Sequence, residues 1–252
     1  MLAEIAGYSG LSETQFLICT AAILTAGLVR GFTGFGLSAV VMASVVAIVP
    51  PVELIPICYV LEAAASVALF RGSFKSANWK MAAALAVGSA TGVPIGLAVT
   101  TYIPVDASRL TALCLVLVLT GAQLFKFAPP GLGGRYGALI AGLFAGIATG
   151  LASVGGLVVA LYVLSRKIEP EVMRSSLILY LLIGMVTTLV SLLYYELMTV
   201  QTLQRGSVFI PVVLLGVFLG AKLFSPKLAP YYKRACLTLL ICLSAAGVIR
   251  LL

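Results

Sequence analysis

Histidine is absent from this chain, acidic residues number eight, and only 10% of its 252 residues carry charge. Metal centres and general acid–base sites are built from converging His, Cys, Asp and Glu side chains. Here the five cysteines (Cys19, Cys58, Cys114, Cys236 and Cys242) are scattered through apolar stretches without ligand-like spacing, and read as packing thiols. Neither a phosphate-binding loop nor a nucleophile–base pairing is present, so the expectation is a protein that is not an enzyme and uses no cofactor. A soluble domain runs near 25% charged. A chain at 10%, with 62% hydrophobic residues, reads instead as an integral membrane protein.

What the chain has in quantity is long apolar runs, beyond the roughly 20 residues that a spanning helix needs. Strand-like alternation is missing, so the expected fold is all-α and polytopic. Before Arg30 there is no Lys or Arg, while Glu4 and Glu13 are acidic. A secretory leader begins with a positive region, so the first apolar run is expected to stay in the mature protein. The net charge of +8 is no nucleic-acid footprint, because it sits in a few short connectors.

Ten apolar segments can be read: 15–29, 37–49, 53–70, 81–102 and 107–127, then 136–151, 154–164, 172–195, 206–224 and 231–252. Pro129, Pro130, Gly131, Gly133 and Gly134 form the obvious linker between the two sets of five. The expected division is a first transmembrane repeat at 1–128, a linker at 129–135 and a second repeat at 136–252. Gly27, Gly31 and Gly36 precede Gly146, Gly150 and Gly155 by 119 residues, and Pro51 precedes Pro170 by the same offset. Gly92, Gly96 and Arg109 match Gly216, Gly220 and Arg234 as the offset drifts to 124 and 125. This is the trace of an internal duplication.

Basic residues set the sense of the two halves. Arg71, Lys75 and Lys80 fall in one connector, Lys126 and Arg135 in the next, Arg166, Lys167 and Arg174 in a third, and Lys222, Lys227, Lys233 and Arg234 in a fourth. Cytoplasmic loops collect Lys and Arg. Placing all four connectors inside makes the repeats inverted, with both termini outside the cytoplasm of a bacterial inner membrane.

Two glycine-rich patches interrupt matching places: Arg30-Gly31-Phe32-Thr33-Gly34-Phe35-Gly36 and Thr149-Gly150-Leu151-Ala152-Ser153-Val154-Gly155-Gly156. Lipid offers no partner to the backbone groups that a break frees, so irregular backbone persists there only against protein or a wet cavity. Paired interruptions point to a transporter's substrate site, here between half-length helices that meet tip to tip. A cation in lipid costs at least about 2.5 kcal/mol, so Arg30 is expected to face a polar interior as the principal partner of an anion. Its bland alternative is snorkelling to the outer surface. Gly31, Gly34, Gly36, Gly150, Gly155 and Gly156 would let backbone approach the ligand closely, with Phe35 beside it and hydroxyls from Thr33, Ser38, Thr149 and Ser153. Ser175 and Ser176 could line the inner approach, whereas Arg174 reads as a headgroup anchor. Glu62, buried in mid-segment, would pair with Arg30 or take up a proton during transport. Gly88, Gly92 and Gly96, like Gly216 and Gly220, recur every four residues and read as helix-packing stripes.

These residues carry a resemblance. Gly31-Phe32-Thr33-Gly34-Phe35-Gly36 followed by Pro50-Pro51-Val52-Glu53-Leu54-Ile55-Pro56 resembles the first repeat of the sulfite exporter TauE/SafE family of membrane permeases. Thr149 to Gly156 leading to Leu161-Tyr162 is similar to its second repeat, and Arg174-Ser175-Ser176-Leu177 to the next stretch of that repeat. The chain departs in carrying Leu157 and Val158 where that family often has proline. The resemblance implies export of sulfite or an organosulfonate across the cell inner membrane, with a small oxyanion and the bilayer as partners. Alternatives are a proton-coupled importer of an organic anion and a non-transporting scaffold; oligomeric state stays open.

Overall fold

The structure is a computed structural model that describes residues 10–73, 76–127, 136–166, 168–224 and 229–251. Among these residues there are eleven helices and no strand. They are α1 (Glu13–Thr33), α2 (Leu37–Val45), α3 (Pro51–Ser73), α4 (Trp79–Tyr102), α5 (Val105–Leu124), α6 (Gly137–Ala152), α7 (Gly155–Ser165), α8 (Pro170–Tyr194), α9 (Val200–Val208), α10 (Ile210–Leu223) and α11 (Ala229–Leu251). Six are long and apolar enough to cross a membrane, or seven if the bent pair α9–α10 is one span. The linker at 129–135 lies outside the described residues, as do Glu4, Lys75, Lys167 and Lys227.

Local chemistry sets the ends. Ser12 and Gln15 form a capping box at α1, Ser12 Oγ accepting from the Gln15 N–H and Gln15 Oε1 from the Ser12 N–H. Asn78 caps α4 by accepting from the Met81 N–H at 3.1 Å. α1 stops where Gly34 turns left-handed at φ +82°, and Gly36 repeats the turn at φ +87° to start α2. Both angles favour a residue without a Cβ.

Two expectations about length are corrected. The first glycine patch does not halve its helix: α1 continues through Gly31 to Thr33 and is 21 residues long. Only the second pair, α6 and α7 at 16 and 11 residues, consists of two short helices. The segment expected at 206–224 starts earlier, at Val200, and bends by 44° between α9 and α10, where Pro211 opens the second helix without an N–H to continue the first.

The most extensive packing is between α4 and α6, followed by α1 against α10. Both are glycine seams. A Cβ on Gly88, Gly92 or Gly96 would overlap the Leu139, Leu143 or Ile147 carbonyl, while Gly142, Gly146 and Gly150 meet the backbone of α4 in return. In the other seam Gly27 and Gly31 lie against Val213 and Val217, with Gly216 and Gly220 facing Leu24 and Leu28. Such stripes bring backbones close enough for dispersion to hold helices together where lipid supplies no hydrophobic drive. Other contacts also recur between the halves: α4 on α8 and α10 on α3, α7 on α5 and α2 on α11.

The cysteines divide. Cys19 and Cys58 are buried, but Cys114 and Cys242 are exposed on the outer faces of α5 and α11. A thiol is apolar enough for that surface.

Candidate functional site

The two chain breaks meet inside the protein. One cavity of about 50 Å³, open to water-sized bodies, is lined by Gly36, Ser38 and Ala39 at the start of α2, and by Ser153, Val154, Gly155 and Gly156 at the start of α7. Each helix lacks a cap from its own N-cap side chain, the N-cap being Gly36 in one and Val154 in the other. Their first-turn N–H groups and the positive ends of their dipoles therefore border the same space, which suits an anion. A space of that size has room for several waters, since one needs only about 10–15 Å³. The packing between α2 and α3, and between α6 and α7, holds the two tips in place.

Glu62, from α3, is the one charged side chain among the described residues that line the cavity. Its Oε1 accepts from Ser38 Oγ at 3.0 Å and, at 3.4 Å, from the Ser38 N–H. Its Oε2 lies 3.2 Å from Arg30 Nε, an ion pair whose angle falls outside hydrogen-bond geometry. Arg30 is fully buried behind it. Its Nη1 donates to the Gly34 carbonyl and its Nη2 to Ser66 Oγ at 2.8 Å. The guanidinium thus faces the protein interior and does not snorkel, but Glu62, rather than Arg30, touches the cavity.

The remaining expected residues separate by role. Thr149 lines the cavity while donating to the Ala145 carbonyl at 2.8 Å. Ser153 lines it with a left-handed φ of +57°. Thr33 instead closes the α1–α2 turn, accepting from the Phe35 N–H at 3.2 Å and donating to the Phe35 carbonyl at 2.7 Å. Gly31 and Gly150 are not at the tips; they belong to the two glycine seams. Gly34 faces Arg174, and buried Phe35 lies beside Gly156. Ser175 and Ser176 are buried, Ser176 Oγ accepting from the Asn78 N–H at 2.9 Å. Arg174 is half-buried, with Nη2 donating to the Gly31 carbonyl at 2.7 Å and its guanidinium 4.7 Å from the centre of the Phe224 ring. It ties α8 to α1, a role that anchoring at the headgroups does not include.

Four lining hydroxyls go beyond the residues that the sequence marks: Tyr59 on α3, Ser89 on α4, and Tyr180 and Thr188 on α8. Tyr180 Oη donates to Ser89 Oγ at 3.2 Å, which leaves the serine's own proton available to a ligand. The signal for Tyr180 is its position in mid-span, since a phenol there must find a polar partner.

Helices of spanning length, broken where two tips meet around one polar interior cavity, form the architecture of a membrane transporter. The model of the sulfite exporter TauE/SafE family matches residues 19–247, and the chain belongs to that family. It is a multi-pass membrane transporter and not an enzyme. Over 205 residues, 79% of each chain, it is 27% identical to the probable sulfite/organosulfonate exporter TauE of Cupriavidus necator. No solved structure matches it.

Proposed function

We propose that the cavity between the α2 and α7 tips binds a small sulfur-containing oxyanion, sulfite or a sulfonate, and that the protein exports it by alternating access. The observation that carries this reading is the convergence on one space of several hydroxyls and two helix N-termini that their own N-cap residues leave uncapped. Ser38, Thr149, Ser153, Gly155 and Gly156 are the proposed ligand-facing residues, with Arg30 acting through Glu62. Membership of a sulfite-exporter family and the relative's printed name support the substrate class.

The two repeats, 1–128 and 136–252, would rock against each other about this site, inverted and with both termini outside. The matched packing supports the duplication, since α4 docks on α6 as α10 docks on α1. Outward movement of an anion gains about 2.3 kcal/mol per charge per 100 mV of inside-negative potential. Purified protein in liposomes, tested with sulfite, ethanesulfonate and chloride under imposed potentials, should carry both sulfur oxyanions, with sulfite moving toward the positive side, and chloride little. Equal flux for all three, or none above protein-free liposomes, would overturn the reading.

A further inference from the structure

The two tips are not chemically alike. At the first, the carboxylate of Glu62 sits on the Ser38 N–H and hydroxyl, the donors that an anion at α2 would use. At the second, the position 119 residues after Ser38 is Leu157, whose N–H goes to the Val154 carbonyl at 2.9 Å. The position 119 residues after Glu62 is Leu181, which lines the cavity without charge. One tip therefore holds a carboxylate already, and its counterpart does not.

Resting on the anion reading above, we infer that Glu62 is a tethered counter-anion that couples transport to protons. Ionised, it holds the Ser38 donors and neutralises Arg30. An oxyanion entering beside it would meet a like charge across a few ångströms of water-poor space. When one carboxylate oxygen takes a proton from water, the resulting carboxyl group is neutral. It releases the Ser38 donors, and the buried charge of Arg30 is then offset by the incoming anion instead. Anion and proton bind as a pair, and each makes the other's binding tighter. Arg30 contributes by position and field, because it stands behind Glu62 and does not line the cavity, with one N–H of each Nη donated to Gly34 and to Ser66.

Few other groups could supply this linkage. Facing Glu62 are Arg30 from α1 and, on α3 itself, Cys58, which lies near both Glu62 and Ser38. Tyr59 of α3 and Tyr180 of α8 line the same space, and Arg174 of α8 stands behind Arg30 as a second cation. From α2, α4, α6 and α7 the described lining residues carry only hydroxyls or apolar groups. A divalent oxyanion such as sulfite accompanied by one proton still carries one negative charge outward, so its export remains driven by the membrane potential, whereas a sulfonate with one proton moves without net charge and follows the anion and proton gradients.

The test counts protons. Ethanesulfonate does not titrate, so any proton taken up on binding belongs to the protein; sulfite is the second probe, corrected for its own buffering. Anion is added to wild-type protein in weakly buffered detergent solution from acidic to alkaline pH. The expected result is uptake of about one proton per anion at the alkaline end, with affinity falling by up to about tenfold per pH unit there. Glu62→Gln should bind without proton uptake and with a flat pH profile. Wild-type binding without uptake at the alkaline end, or a variant that keeps the wild-type slope, overturns the inference. Because Glu62→Gln leaves Arg30 unbalanced and can cost the fold, the wild-type proton count stands by itself. Failure of both anions to bind at any pH would instead overturn the proposed function.

Discussion

Arg30 and Glu62 show how a charge can lie inside a membrane protein. Arg30 has no solvent exposure, and its Nε–Oε2 pairing with the 14%-exposed Glu62 side chain balances it. Breaking such a pair from one side leaves an uncompensated buried charge, whereas replacing both members by apolar groups is often neutral. Arg30→Met should therefore destabilise the protein by about 3 kcal/mol. Arg30→Met with Glu62→Met should recover most of that loss, as read by thermal unfolding in detergent. Equal destabilisation of both variants would mean that the pair does not act as a unit. At this scale the site is partly legible in the sequence. Arg30, Ser38 and Glu62 stand out because a polar group in an apolar run must find a partner. Tyr59, Ser89, Tyr180 and Thr188 do not, since a single hydroxyl can bond to its own helix and only the helix's rotation decides where it points. Gly31 and Gly150 are drawn to the tips in a sequence reading because a glycine in a seam and a glycine at a break look the same there.

Single helices here owe their placement to seams rather than to amphipathic faces. The four-residue glycine period on α4 is readable as close packing, but its partner is not, because α1, α6 and α10 each carry glycines at the same spacing and periodicity does not say which stripe meets which. Gly92 shows what the seam demands: a Cβ there would overlap the Leu143 carbonyl and approach Ile147 N at 2.8 Å. That obstacle is backbone, so it cannot swing aside. Gly92→Ala should cost about 1–3 kcal/mol through overpacking, whereas Gly121→Ala, with nothing within 4 Å of its Cβ, should be nearly silent. Thermal midpoints of the two purified variants make the comparison, and equal shifts would show that the seam does not constrain α4. Helix ends are legible where capping chemistry is local, as at Ser12 and Asn78. The bend before α10 is harder to place, because Pro211 is compatible with either a kink or a first turn.

Across the whole molecule, the proposed alternating access needs the two halves to move relative to each other at the site, and one contact there can be used to stop them. A Cβ on Gly156, in the second half, would lie 3.5 Å from the Cβ of Phe35, in the first half. That is within the span of roughly 3.5–4.5 Å that a disulfide requires. Phe35→Cys with Gly156→Cys, placed in a background whose five native cysteines are replaced, should therefore cross-link on oxidation with little displacement. If rocking separates the two tips, the oxidised protein should lose flux to the level of protein-free liposomes, and reduction should restore it. The reduced double variant is the control for the loss of the Phe35 ring, which is buried at 4% exposure. Full flux from protein shown by mass spectrometry to be cross-linked would mean that the tips move as one body. The moving boundary would then have to lie elsewhere, most simply along the two glycine seams that join α4 to α6 and α1 to α10.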